Sequence, residues 1–218
     1  MASFTIDTSA LAEALAALNT IVPNKPSRDV LKCVKIVAKN GIAGNPDTIT
    51  LYATDLETYA VICLDQSIMV QTAGHFVVPA IPFMEYVRTF ETVTIDITVT
   101  SDNTMKVNED GSEFEIGTQD IDEFPDFPEV PTSDNWIPVA LDPFGVALKK
   151  VAFAVAEKGH PRWGALSAIC IECSGDKIAL IGTDQHRASV FELQTTTGLT
   201  GKQFLVSGKA LSIVPKVF

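Results

Sequence analysis

An aspartate, a histidine and an arginine stand close together in the segment TDQHRASV, residues 183–190. Asp184, His186 and Arg187 are residue types that transfer protons or stabilise developing charge in enzymes. The chain has only three histidines, and neither a Gly-rich oxyanion loop nor a nucleophile elbow accompanies this cluster. We therefore expect no catalytic residue here. We expect Asp184 to bind nearby backbone N–H groups in a turn at the end of a strand.

Cys170 and Cys173 form a CxxC pair, a spacing found in zinc and redox sites. A zinc site needs a second pair or suitably spaced histidines, and neither is present. A redox CxxC begins a helix, whereas the segment SAICIEC is typical of a strand, in which positions i and i+3 point to opposite faces. The sequence therefore predicts buried free thiols in a reducing cytosol, with no metal and no cofactor.

The segment that contains Asp184 repeats an earlier segment, about 129 positions upstream. Residues 49–64 read ITLYATDLETYAVICL, and residues 178–193 read IALIGTDQHRASVFEL. The Thr-Asp pair occurs in both copies, whereas His-Arg occurs only in the second. We therefore interpret the Thr-Asp pair as a structural turn, and His186 with Arg187 as an addition with a function.

A second match follows in the same order, between HFVVPAIPFMEYVRTF at 75–90 and QFLVSGKALSIVPKVF at 203–218. Two ordered matches predict two copies of one domain. The first copy has further strands after the match, whereas the second stops at Phe218. We expect the second domain to be incomplete, with a bare sheet edge. Either the native protein continues past Phe218 or the fragment self-associates through that edge.

The charge of the chain is unevenly distributed around a net value of −11. Residues 102–134 hold eleven acids and one base, whereas residues 149–218 hold nine bases and five acids. A locally basic face can bind a phosphate backbone on an acidic protein. The alternative is that Lys149, Lys150 and Lys209 simply form a solvated face.

The apolar content of 46% indicates a globular core, and no apolar run approaches the ~18 residues of a membrane span. The N-terminus MASFTIDTSA lacks the features of a signal peptide. We expect a cytoplasmic protein without membrane contact.

Hydrophobic periodicity predicts an α+β first domain over residues 1–125. A helix is expected over 9–22, capped by Thr8 or Ser9, and a second over 82–90. A hairpin is expected with Asp110-Gly111 at its turn. The other predicted strands cover 3–7, 32–41, 47–55, 58–65, 67–73, 76–78 and 92–101.

The stretch 121–136, IDEFPDFPEVPTSDNW, is too rich in proline and acid for regular structure, and we place a linker at 126–136. The second domain, 137–218, is expected to begin with a helix capped by Asp142, with Pro143 at its first position. A loop is expected over 157–164. Pro215 is expected to kink the last helix.

The chain resembles the bacterial sliding clamp family, the β subunits of DNA polymerase III. The matching segments occur in family order along the whole chain, and TDQHRASV corresponds to a typical Thr-Asp-Gly-His-Arg-Leu-Ala. The other matches are FTID (4–7), Lys25-Pro26, EFPDFP (123–128) and VSGKAL (206–211).

This resemblance implies a DNA-clamp fold with duplicated domains, each with two helices packed against antiparallel sheets. It implies a non-catalytic subunit of a homodimeric ring that encircles duplex DNA and tethers the replicative polymerase. Family subunits have three domains, so the third is absent from this sequence and the second is partial. The polymerase and the clamp loader would bind through short peptides.

The resemblance also assigns roles to residues of this chain. The client-peptide pocket would include Thr183, Gln185, His186, Arg187 and Ala188. The expected DNA contacts are Lys25, Arg88, Lys149, Lys150, Arg162, Trp163, Lys209 and Lys216.

Three features depart from the family pattern. Gln185 replaces a usual Gly, and Ala188 replaces a usual Leu, so one wall of the pocket is altered. The helix over 9–22 carries no Lys or Arg.

The alternative function is a stand-alone clamp-like interaction module that does not encircle DNA.

Overall fold

The chain divides after Glu129 into two compact units, here called the first and second units. The computed structural model of the protein describes residues 1–129, 139–156 and 163–217, with the backbone alone for 163 and 215–217. Both units combine helices with antiparallel sheets, which confirms the α+β class. No helix in these described ranges is long and apolar enough to cross a membrane.

The first unit contains two helices, α1 (Thr8–Asn19) and α2 (Ala80–Val87), which pack on each other. Its strands are β1 (Ala2–Asp7), β2 (Cys33–Lys39), β3 (Thr48–Thr54), β4 (Tyr59–Leu64), β5 (Ile68–Thr72), β6 (Gly74–Pro79), β7 (Thr94–Val99), β8 (Thr104–Glu109) and β9 (Ser112–Gly117). They form one sheet of order β5-β1-β7-β8-β9 and another of order β4-β3-β2-β6.

Helix α1 forms because Leu11, Leu15 and Leu18 fall on one stripe, and all three are buried. Its N-cap is Asp7, whose Oδ1 accepts a hydrogen bond from the Ala10 N–H at 2.9 Å. The prediction of Thr8 or Ser9 as the cap was therefore wrong. Asp7 ends a strand in extended conformation, which frees its carboxylate to reach the first helical turn.

The hairpin predicted at Asp110-Gly111 is confirmed between β8 and β9. Both turn residues have positive φ, 42° and 87°, as a two-residue turn between twisted strands requires. The core of the first unit joins residues of both sheets to the buried faces of α1 and α2.

The second unit, in its described part, contains helices α3 (Leu141–Ala152), α4 (Trp163–Leu166) and α5 (Gly208–Val217). Its strands are β10 (Ala168–Ser174), β11 (Lys177–Thr183), β12 (Ala188–Gln194) and β13 (Thr200–Ser207). They form a sheet of order β12-β11-β10-β13, and α3 packs on α5.

Strand order and register confirm the duplication. The order β4-β3-β2-β6 corresponds strand for strand to β12-β11-β10-β13. Ile49 lies opposite Leu64 in the first unit, and their sequence counterparts Ile178 and Leu193 lie opposite each other in the second. The predicted overlay of Phe90 on Phe218 lies outside the described residues.

Three local expectations were wrong. The cap of α3 is Ala140, so Asp142 and Pro143 lie inside the first helical turn. The helix begins two residues earlier than predicted. Pro143 is tolerated inside the first turn because the N–H groups there have no partner within the helix. Trp163 and Gly164 belong to α4 and not to a loop.

The beginning of the predicted irregular stretch is a short 3₁₀ turn, Ile121–Glu123, instead of unstructured chain. Phe124 and Phe127 then pack on the first unit, because the aromatic rings have apolar surface to bury there. Residues 130–136 of the expected linker lie outside the described residues.

Strand β13 is much more exposed than its counterpart β6. Phe76 of β6 is 4% exposed and stacks on Phe4 of the other sheet, with ring centroids 6.4 Å apart. Its counterpart Phe204 is 46% exposed, because the described second unit contains one sheet and no equivalent of that partner.

Candidate functional site

The turns that follow β3 and β11 are built in the same way. Asp184 Oδ1 accepts hydrogen bonds from the backbone N–H groups of His186 (3.0 Å) and Arg187 (2.9 Å). Asp55 Oδ1 accepts the equivalent bonds from Glu57 (3.1 Å) and Thr58 (2.7 Å). The prediction of a structural aspartate turn is therefore confirmed in both units.

The preceding threonine closes each turn from the other side. The Thr183 hydroxyl donates to the Arg187 carbonyl at 2.8 Å and accepts from the Gln185 N–H at 3.2 Å. Gln185 is held at φ 76°, in the left-handed region that glycine adopts most easily. Leu56 has the corresponding place in the first unit, at φ 73°.

Arg187 is fixed by two neighbours. Its Nε donates to Asp184 Oδ2 at 2.9 Å, and its guanidinium carbon lies 5.6 Å from the ring centroid of Phe153. Partial burial raises the pKa of Asp184, but the backbone hydrogen bonds from Arg187 and His186 and the ion pair outweigh it. The pKa of that carboxyl is therefore held below its usual range.

The residues predicted for a peptide pocket lie together, since they are nearly consecutive. Thr183 ends β11, Ala188 begins β12, and Gln185, His186 and Arg187 form the exposed turn between them. Sequence reasoning missed Phe153 as their neighbour. The signal available was a bulky apolar residue just past the buried stripe of α3, where no core position requires one.

The predicted DNA-contact residues lie on helices and loops of both units. Lys25 is exposed in the loop after α1, and Arg88 is the exposed C-cap of α2. Lys149 and Lys150 are exposed in the last turn of α3. Lys209 is exposed near the start of α5, whereas Arg162 and the side chains of Trp163 and Lys216 lie outside the description.

Ion pairing separates the structural cations from the available ones. Lys106 bridges Glu113 and Glu115 between strands, and Lys177 pairs with Glu192 at 2.8 Å. No carboxylate in the described ranges pairs with Lys25, Arg88, Lys149 or Lys150. These four charges remain available to an external anion.

The strand predicted to contain Cys170 and Cys173 is confirmed as β10. Cys173 faces the core, and burial raises the pKa of its thiol. Cys170 points to the opposite face of β10 and is only partly buried, so the prediction of a buried thiol was wrong for this residue. Burial also raises the pKa of Cys33, to about 11. Within the described residues no group of three or more His, Cys, Asp or Glu side chains is placed to hold a metal ion.

Comparison with known proteins assigns the chain to a family. The family model described as DNA polymerase III beta subunit, N-terminal domain, matches residues 2–128. A beta sliding clamp from Micrococcus luteus is 24% identical over 215 residues, which cover 98% of this chain and 65% of that protein.

Two crystal structures resemble the chain along almost its whole length. The DNA polymerase sliding clamp from Bacillus subtilis has a TM-score of 0.87 at 20% identity, over 99% of this chain and 56% of that one. The DNA polymerase III subunit beta from Pseudomonas aeruginosa has a TM-score of 0.84 at 25% identity, over 98% and 56%. These likenesses show the clamp fold. The chain spans about two thirds of the length of the Micrococcus luteus relative and just over half that of the two solved structures.

Proposed function

Because this chain belongs to the DNA polymerase III beta subunit family, we propose that it is a sliding-clamp subunit that encircles duplex DNA and tethers the replicative polymerase. The observation that carries this proposal is the duplication: a unit matched by the family model is followed by a second unit, whose described sheet has the strand order and register of one sheet of the first. Repeated units joined head to tail generate a ring when their rotation closes. In this role the protein binds and slides, and it catalyses no reaction.

DNA would be held first by the cations for which the described residues supply no carboxylate partner. We assign this contact to Lys149 and Lys150, exposed at the end of α3, together with Lys25 and Arg88. Lysines that neutralise phosphates release counterions, an attraction that is blind to sequence and therefore permits sliding. Arg162, Trp163, Lys209 and Lys216 are further proposed contacts.

Client proteins would bind at the turn between β11 and β12. The proposed site comprises Thr183, Gln185, His186, Arg187 and Ala188, with their exposed polar edges around a peptide. The peptides would come from the DNA polymerase and the clamp loader. Gln185 and Ala188 depart from the family pattern, so we expect the affinity for a given peptide to differ from that of other clamps.

We further propose that the whole gene product works as a homodimeric ring in the cytoplasm. A closed ring can be tested specifically, because retention by encirclement can be distinguished from retention by electrostatic affinity. A ring loaded on covalently closed circular DNA stays bound at salt concentrations that remove simple electrostatic binders, and it slides off linear DNA.

The test uses the whole gene product, loaded on circular DNA and then challenged by linearisation. We expect retention on the circle and loss after cutting. The double variant Lys149→Glu/Lys150→Glu should weaken association uniformly across sequences. It should also reduce the salt slope by about one for each phosphate that is no longer neutralised.

The matched control is Lys39→Glu/Lys202→Glu, which makes the same charge change at exposed strand positions. Equal weakening by both double variants, or a loss restricted to some DNA sequences, would contradict the assigned contact. Peptide binding without any retention on circular DNA would favour the stand-alone interaction module instead.

A further inference from the structure

A phenylalanine, an arginine and an aspartate of the second unit form one arrangement on its surface. Phe153 is 59% exposed, an unusual position for so large an apolar side chain. The Arg187 guanidinium lies over its ring at 5.6 Å, within the range of a cation–π contact. The Asp184 carboxylate binds Nε of the same guanidinium at 2.9 Å.

The arrangement has no equivalent in the first unit, although the surrounding elements are duplicated. Phe153 is the C-cap of α3, and the C-cap of α1 is Thr20. The place of Arg187 in the turn is taken by Thr58. The Thr20 hydroxyl donates to the Ala17 carbonyl at 2.7 Å, so it helps to cap its helix, whereas a phenyl ring cannot. Neither capping nor core packing therefore explains Phe153.

Among the described residues, the two contacts leave one edge of the guanidinium without a hydrogen-bond partner. Asp184 accepts the hydrogen bond of Nε, and the guanidinium carbon lies 5.6 Å from the centroid of the Phe153 ring. Within the described residues no hydrogen bond uses the Nη groups of Arg187, and its side chain is 53% exposed. The two Nη groups form an edge that binds a carboxylate through two parallel hydrogen bonds. Holding the fork in place beforehand reduces the entropy lost on binding.

We propose that Phe153 is a positioning residue for Arg187, and that Arg187 so held is a carboxylate-binding site for an acidic side chain of the bound peptide. This inference rests on the proposed function for the identity of the peptide, but the carboxylate site itself does not. It makes Phe153 a determinant of peptide specificity, although it lies outside the turn that forms the rest of the site.

The first experiment needs no client protein. Acetate is titrated into the protein at constant ionic strength, with chloride as the compensating salt, and the Arg187 Nε–Hε signal is followed by NMR. That signal is assigned by its loss in Arg187→Lys. Ring currents from Phe153 report separately whether the guanidinium lies over the ring in the absence of acetate.

We expect the acetate dissociation constant to rise about two- to fivefold in Phe153→Leu, the change expected when an exposed cation–π interaction is removed. Phe153→Tyr keeps the ring and should retain the affinity of the original protein. Val146→Ala, which alters another exposed apolar residue of α3, should leave it unchanged. Equal constants in Phe153→Leu and the original protein, or no response of Arg187 to acetate, would overturn the proposal.

The second experiment uses a synthetic peptide from the clamp-binding segment of a bacterial DNA polymerase III, in two versions that differ by one Asp→Asn change. We expect the Asp version to bind more tightly, and Phe153→Leu to reduce that preference about two- to fivefold. A preference unchanged by Phe153→Leu would contradict its role in specificity. If acetate binds at Arg187 but neither peptide binds, the carboxylate site is supported and the peptide-tethering function fails.

Discussion

Asp55 and Asp184 hold the same turn in two sheets of the same strand order, each with one carboxylate oxygen bound to the N–H groups two and three residues ahead. The shared turn carries different residues: Glu57 and Thr58 in the first unit, His186 and Arg187 in the second. A duplicated scaffold thus keeps its backbone chemistry while one copy gains a cation. This difference is why we place the peptide site on the second unit.

The left-handed backbone at Gln185 predicts that glycine at this position gives a more stable protein than alanine does. Gln185→Ala and Gln185→Gly both remove the side chain, but only glycine adopts φ 76° without a steric cost. We expect the glycine variant to exceed the alanine variant by about 0.5–1 kcal/mol in free energy of unfolding, after the larger chain entropy of unfolded glycine is counted. Urea unfolding of the two variants measures the difference. Equal stability would show that the turn relaxes around alanine.

Gly182 permits a close approach of β11 to α3. A Cβ at this position would lie 2.9 Å from both Cγ1 and the carbonyl oxygen of Val151, and backbone cannot move away cheaply. We expect Gly182→Ala to destabilise the second unit by about 1–3 kcal/mol through overpacking. Gly164→Ala is the control, because a Cβ there meets no atom of the described residues within 4 Å. Thermal unfolding should separate the two variants, and similar midpoints would contradict the close packing.

The hydrogen bonds that the Asp47 carboxylate accepts predict that the first unit loses stability in acid. Its carboxylate accepts from the Gly41 N–H at 2.8 Å and the Val70 N–H at 2.7 Å, and these bonds lower its pKa. A lowered pKa in the folded state contributes stability that is complete above the unfolded pKa of about 3.9 and is lost as pH falls through the folded value. Asp47→Asn should therefore flatten the fall of the unfolding midpoint below about pH 4. Asp65→Asn, at an exposed turn position, is the control, and equal acid profiles would exclude this role.

The aromatic contacts of Phe127 predict that its ring anchors the C-terminal end of the first unit. Its ring lies edge-on to Tyr52 and Tyr59, with centroids 5.0 and 5.1 Å away, and stacks near Phe124. We expect Phe127→Ala to lower the free energy of unfolding of the first unit by about 1–3 kcal/mol and to speed proteolysis around residues 124–129. Val93→Ala, at a 77% exposed residue, should change neither. Protection of the segment in Phe127→Ala would show that other contacts anchor it.

The sequence by itself determined the elements and their duplication. The strands were predictable from alternating apolar residues, α1 from its stripe of leucines, and the hairpin between β8 and β9 from Asp110-Gly111. Each of these signals depends only on residues that are close in the chain. The aspartate turn was predictable for the same reason, as its donors lie two and three residues away.

Only the tertiary structure placed Phe153 under Arg187 and Phe127 against Tyr52 and Tyr59. These contacts join segments far apart in sequence, and their partners are chosen by helix and sheet packing, which no local period encodes. The exposure of Phe204, where its counterpart Phe76 is buried, was also decided at that level, because burial depends on the element that lies opposite. A sequence pattern marks a residue as apolar, and the fold decides whether that surface meets a neighbour or the solvent.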